Sequence, residues 1–327
     1  MNNKNRHYLL LFIKYSLLAG VIYYIILSFN SHKKEDIHSV FSVQLLQSSN
    51  VVYLLLALLL VPINWYFEML KYSSLFKGSR IYTTVERYKI ILAGVSFALI
   101  TPMKLGDYAG RLVMTDRPDR RHSLWASFLG NWCQWVILGV FGLAGFQLML
   151  NYIQLFTPQK LLLVNVLLLL VIVLLIYFLF KKLSWMGILL KIIPKKFYRY
   201  FKNYQFETYV KHRRSIMKAC MFAAFRYWVY VVQFVLILKF YGAGLSFFTC
   251  ITAVCTIYFI QLMLPFLSWL GLIGRTGIAI FVLSSLGISE MISGVATLLL
   301  WIINMLVPSV FGIYFIIRFR RTKLKTQ

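Results

Sequence analysis

The sequence predicts an all-α, polytopic helical membrane protein with six full spans and two re-entrant or broken-helix hairpins. Three observations point there. Of 327 residues, 60% are hydrophobic and only 13% charged, a balance that polytopic membrane chains reach and soluble domains of this length do not. Six apolar runs, at 8–29, 51–70, 124–150, 161–180, 218–240 and 291–317, are long enough to cross a ~30 Å hydrocarbon core at ~1.5 Å per helical residue. Lys and Arg, finally, gather in alternate connections. The loops 30–50, 151–160 and 241–246 hold only Lys33, Lys34 and Lys160, while the two tails and the segments 71–89, 101–122 and 181–218 hold most of the rest. The positive-inside rule then places both termini in the cytoplasm of a bacterial-type inner membrane. The formal net charge of +26 is absorbed by that topology and by anionic lipid, so no nucleic-acid partner is expected.

Taken in order, the run at 8–29 follows Lys4 and Arg6. It is longer than a signal-peptide core and lacks a small-residue cleavage site, so it reads as the first span. The span 51–70 comes next, and then Ile90–Ile100, which is eleven residues, or about half a bilayer as helix. Lys89 before it and Arg117, Arg120 and Arg121 after it put both ends on the cytoplasmic side. It is therefore expected to form a re-entrant hairpin with its tip at Thr101–Gly106, where irregular backbone is tolerated only against protein or a cavity. After span 124–150 and span 161–180 comes a basic, aromatic-rich cytoplasmic loop, 181–218. It reads as an interfacial amphipathic segment broken at Pro194. Past span 218–240, the stretch 246–289 carries no Lys or Arg at its flanks. Phe247–Leu264 is long enough to span and Ile278–Leu286 is not, so an outer-face hairpin is expected before span 291–317. The chain thus reads as one integral membrane domain, 1–327, holding repeat one at 51–150 and repeat two at 218–318. The two run in opposite senses, the inverted arrangement that recurs in secondary transporters.

The candidate functional residues cluster at the two breaks. In the first, Thr101-Pro102 ends a helix by removing a hydrogen bond, and Gly106 and Gly110 are expected to supply turn geometry. Lys104, Asp107 and Arg111 bring charge into an apolar region. Asp107 and Arg111 stand at i, i+4 and are able to pair, which leaves Lys104 to meet an anion. In the second break, Pro265, Gly271 and Gly274 flank Arg275, which has no acid nearby in sequence and needs an anionic partner. Guanidinium suits phosphate through bidentate hydrogen bonding. Arg226 lies about two turns into its span. Glu68 and Lys239 are read as interfacial.

Enzyme chemistry finds little support. The five histidines lie outside the span cores, the four cysteines (Cys133, Cys220, Cys250, Cys255) have no metal-ligand spacing, and no Gly-rich phosphate loop exists. Asp116 and Asp119 form a DxxD, but they sit among arginines without further acids and read as a polar turn. No catalytic residue, metal or cofactor is expected.

At the two breaks the chain resembles the transmembrane region of lysylphosphatidylglycerol synthases and the stand-alone flippase-like members of that family. Thr101-Pro102-Met103-Lys104-Leu105-Gly106-Asp107 is similar to the family's Thr-Pro-Gly-Gly-x-Gly-Glu stretch, with Asp for Glu and Met-Lys for the Gly pair. Pro265 through Gly271-Leu272-Ile273-Gly274-Arg275-Thr276 is similar to its later Pro…Gly-Gly-x-Gly-x-Arg-Glu stretch, with Thr276 where an acid is usual. The resemblance implies a lipid flippase-like membrane region. Aminoacyl transfer belongs to a separate soluble domain in that family, and the chain stops about ten residues after its last span, so no synthase activity is expected.

The residues then point to a transporter moving an anionic phospholipid or lipid-linked intermediate between leaflets. Thr101, Pro102, Lys104, Gly106, Asp107, Arg111, Arg226, Pro265, Gly271, Gly274 and Arg275 form the expected substrate site. The competing expectation is a non-catalytic membrane partner or scaffold for a lipid or glycan synthesis enzyme, docking through the basic loop. The partners in view are an anionic lipid headgroup, the bilayer, and either a second copy or a synthase.

Overall fold

A computed structural model describes residues 50–101, 105–153, 213–264 and 272–325, with isolated helical positions between 162 and 170. The predicted span 8–29, most of 161–180 and nearly all of the basic loop 181–218 lie outside the described residues. So do Pro102, Lys104, Pro265 and Gly271.

Every regular element among the described residues is helical. In chain order these are α1 (Val51–Leu75), α2 (Thr84–Ile100), α3 (Gly106–Met114), a 3₁₀ turn at Arg117–Asp119 and α4 (Arg120–Ile153). After them come α5 (Arg213–Phe240), α6 (Phe247–Met263), α7 (Leu272–Ser284), α8 (Glu290–Trp301), a π-helical turn at Ile302–Leu306 and α9 (Val307–Lys325). Four helical stretches are long and apolar enough to cross a membrane: Val51–Leu75, Arg117–Ile153, Arg213–Phe240 and Glu290–Phe319. They coincide with four of the predicted spans.

The predicted helix ends need correction. Helix α2 starts at Thr84, six residues before the apolar run at Ile90. Thr83 and Glu86 form a capping box there: the Thr83 hydroxyl accepts from Glu86 N–H, and Glu86 accepts from Thr83 N–H at 2.8 Å. Such a cap is worth about 1 kcal/mol. The bond from the Thr83 amide, with Arg80 beside it, holds the Glu86 carboxyl below its ordinary range. Helix α5 likewise begins in charged sequence, at Arg213.

Side-chain pairings fix how the helices run. Gln233 reaches Ala57 and Arg226 reaches Asn64, so α1 and α5 are antiparallel along a long seam. Ser96 donates to the Ser309 carbonyl at 2.7 Å, and a Cβ on Gly312 would meet Leu92, so α2 lies antiparallel to α9. Gly142 and Gly145 close on Phe259 and Cys255, which sets α4 antiparallel to α6. In consequence Lys77, Arg80, Arg87, Lys89, Arg117, Arg120, Arg121, Arg213, Arg214 and Arg318 share one end of the bundle. At the other end, among the described residues, Lys239 closes the end of α5 by donating to the carbonyls of Ala243 (3.1 Å) and Leu245.

The first hairpin forms as an antiparallel pair. A Cβ on Gly106 would stand 2.2 Å from the Phe97 carbonyl oxygen, and one on Gly110 would stand 2.2 Å from that of Ala93. These glycines are therefore helical contact points of α3 on α2, not the turn residues that the sequence suggested. Among the described residues only Gly242 and Gly287 have positive φ. Extending the α2–α9 pairing puts the end of α2 near the level of Asn304, with Ile100 and Leu105 on either side of the reversal both exposed.

Candidate functional site

The polar face of α1 builds the site. Asn64, Glu68 and Lys71 recur at i, i+4 and i+7, so one stripe of the helix carries all three, and each is 1% exposed or less. Glu68 is the hub. Its carboxylate lies 2.5 Å from Lys71 Nζ, 2.7 Å from an Arg226 guanidinium nitrogen and 2.9 Å from one of Arg111. Arg111 turns its fork onto Asp107 as well, at 2.9 Å from Nε and 2.8 Å from a terminal nitrogen. The i, i+4 pairing expected for Asp107 and Arg111 is thus present, inside a larger network.

This corrects the interfacial reading of Glu68. Its hydropathic context resembles a span end, yet α1 continues to Leu75 and the residue faces α3 and α5 across the core. Arg226 also turns inward, its side chain 15% exposed and its guanidinium 5.0 Å from the Trp65 ring centre and 5.6 Å from that of Tyr230. Burying charges this deeply is tolerable only because each is paired and hydrogen-bonded.

From the ion cluster a chain of amides continues along the seam. Arg226 Nε donates to Asn64 Oδ1 at 3.2 Å, and Asn64 Nδ2 donates to Asn304 Oδ1 at 2.9 Å. Asn304 Nδ2 donates to Gln233 Oε1 at 3.2 Å, and Gln233 Nε2 donates to the Ala57 carbonyl at 3.0 Å. From Ala57 to Lys71 the track covers about 21 Å of helix rise. Asn304 sits in the π-helical turn, and the cause is local. Pro308 has no N–H to return to the carbonyl four residues earlier, and its ring crowds that carbonyl, so the backbone widens by one residue. Lys71 has a further neighbour in Gln134 Oε1, at 3.4 Å.

The remaining expected residues fall in two places. Thr101 closes the first break: its hydroxyl donates to the Phe97 carbonyl at 3.0 Å and accepts from Gly106 N–H at 2.6 Å, tying α2 to α3. Gly274 is buried at the start of α7. Arg275, half-buried on the same helix, is not brought to Glu68. It lies within electrostatic reach of Tyr258, whose ring packs edge-on to Tyr230, and none of the described acids pairs with it. Asp119 serves the loop at the basic end, accepting from Ser79 N–H at 2.8 Å and Arg80 N–H at 3.1 Å. Asp116 is 2.5 Å from Arg80, and no metal-binding group of His, Cys, Asp or Glu exists among the described residues.

Sequence reasoning missed Glu68, Lys71, Asn64, Gln233 and Asn304. The 64-68-71 periodicity was a usable signal, as was an Asn four residues before a proline in a span. Their partners lie too far away in sequence for the network itself to be read.

Beside the cluster, a cavity of about 430 Å³ opens between α1, α2 and the α8–α9 segment, with an almost wholly apolar lining. Compared with family models, curated proteins and solved structures, the chain finds no match.

Proposed function

We propose that this protein is a flippase-like transporter that moves an anionic phospholipid or lipid-linked intermediate between leaflets, with the headgroup phosphate engaging the buried charge cluster. One observation carries the reading. Lys71, Arg111 and Arg226 face Glu68 and Asp107, three cations against two anions, within an apolar bundle and toward its basic end. An uncompensated buried positive charge is costly, and a headgroup phosphate supplies the missing anion in a form that guanidinium binds well. The two breaks support the same reading. Each half follows a long helix, two short helices and a long helix. The first short helix of each half packs on the last long helix or segment of the other, α2 on α9 and α6 on α4. Such crossed packing is what an inverted repeat gives, and transporters of that design hold substrate where the halves meet. The likeness of the Thr101–Asp107 and Pro265–Thr276 stretches to the flippase-like family supports it too. The remaining parts of the proposal are six spans, an inner-membrane location and cytoplasmic termini.

The test is leaflet exchange in liposomes, with fluorescent phosphatidylglycerol compared with a neutral lipid. Wild type should exchange the anionic lipid faster. Arg226→Gln should cut that preference by about tenfold, the scale of one lost charge-assisted contact, while still inserting. Unchanged preference in the well-folded variant would sink the transporter reading. A scaffold for a synthase would then be the better account.

A further inference from the structure

The apolar cavity adjoins the charge cluster through one residue, Trp65. Trp65 lines the cavity together with Leu58 and Val61 of α1, Tyr88 and Leu92 of α2 and Phe311 of α9. The Arg226 guanidinium of the cluster lies over the same Trp65 ring at 5.0 Å. Trp65 is 4% exposed, and its Nε1 has no hydrogen-bond partner among the described residues, although a buried indole N–H ordinarily finds an acceptor. Helix α1 therefore carries two neighbouring stripes: polar side chains at 64, 68 and 71, in line with the Ala57 carbonyl that accepts from Gln233, and positions 58, 61, 62 and 65 toward the cavity. Pro62 and Pro308, on opposite walls, each remove a backbone donor. The π-helical turn just before Pro308 belongs to the wall that also supplies Asn304 to the polar track.

We propose that this cavity is the seat of one hydrocarbon tail of an anionic glycerophospholipid. The lipid's phosphate would lie on the Arg226 side of Trp65, and an ester or phosphate oxygen would accept from Trp65 Nε1. The inference deepens the transporter reading and rests on it for the identity of the headgroup. The cavity volume is within the ~300–1,000 Å³ of ordinary ligand sites. Its lining is almost wholly apolar, with Trp65 and its Nε1 at the edge nearest Arg226, while the adjoining cluster offers net positive charge. A molecule apolar at one end and anionic at the other satisfies both. Trp65 is then a divider between tail and headgroup, which lets the phosphate move along the 57–71 track while the tail stays in hydrocarbon.

The experiment uses the full chain in liposomes containing phosphatidylglycerol with a photoreactive diazirine near the end of one tail. Adducts are mapped by mass spectrometry, and leaflet exchange is recorded on the same preparation. Adducts on Tyr88, Leu92 and Phe311 are expected, and they should fall about tenfold in Val307→Trp and in Leu58→Trp. These two substitutions fill the cavity from opposite walls at positions 44% and 43% exposed, so at least one should fold. Adducts on the outward-facing Leu55 and Leu59 should not change. Equal labelling of Leu59 and Phe311, insensitive to both substitutions, would mean bulk lipid only and would overturn the proposal. High-yield disulfide formation between Val307→Cys and a cysteine placed in 8–29 would also overturn it, since the chain's own segment would then fill the cavity. Cavity adducts without leaflet exchange would leave the tail site standing and remove the transporter reading. Exchange without cavity adducts would do the reverse.

Discussion

Glu68 shows at the residue scale how a membrane core tolerates charge. Its carboxylate holds Lys71, Arg111 and Arg226 together, and no other described acid reaches Lys71 or Arg226. Changing it to Gln keeps the shape and removes the counter-charge, leaving Lys71 and Arg111, each nearly inaccessible, to face one another. Breaking a buried pair in this way costs about 3–5 kcal/mol. Glu68→Gln should therefore lower the thermal unfolding midpoint in detergent micelles sharply, whereas Glu86→Gln at the partly exposed cap should cost only about 1 kcal/mol. A Glu68→Gln protein as stable as wild type would mean that Glu68 does not hold the cluster together. How far such a site is legible depends on sequence distance. The Asp107–Arg111 pair follows from helix periodicity alone. The pairs 68–111, 68–226 and 64–304 join segments that only the folded bundle brings together, and hydropathy actively misplaces Glu68 by making it the end of an apolar run.

At the scale of elements, the same sequence cue had two physical outcomes. Hydrophobic runs located the long helices because lipid-facing and core-facing positions are both apolar. They missed the starts of α2 and α5 because caps and charged first turns extend a helix beyond its apolar part. Glycine was misread in a similar way. Gly106 and Gly110 are small because α3 lies on the α2 backbone, the close approach that small residues allow between membrane helices. Gly110→Ala would place a methyl 2.2 Å from the Ala93 carbonyl oxygen, and the backbone has to move to make room. A cost of about 1–3 kcal/mol is expected, and displacement of α3 would also pull Asp107 and Arg111 off the cluster. Gly244→Ala, with nothing within 4 Å and no positive φ, is the matched control and should be neutral. Thermal unfolding of the two variants side by side checks this, and equal midpoints would deny α3 its tight seat on α2.

For the whole molecule, the antiparallel pairings α1–α5, α2–α9 and α4–α6 sort the described basic residues almost entirely to one end. That sorting was legible in the sequence as loop charge. The crossed packing of the two halves was not, because it is carried by Ser96 on Ser309, and by Gly142 and Gly145 on Phe259 and Cys255. If the basic end is cytoplasmic, as positive-inside bias requires, each short-helix pair must enter from a different side. Single cysteines decide the matter. Ile81→Cys, at an 89% exposed position, and Arg117→Cys should react with an impermeant maleimide only after the inner face is opened. Gly244→Cys and Ser285→Cys should react from outside in intact cells. The four native cysteines are buried or half-buried and should contribute little background. The informative comparison is Ser285 with Arg117, since each follows a short-helix pair. Labelling of both from one side would place the two breaks on the same face, and the two halves would then be parallel rather than inverted. Labelling from opposite sides means that the two short-helix pairs enter from the two leaflets, the arrangement that an inverted repeat gives.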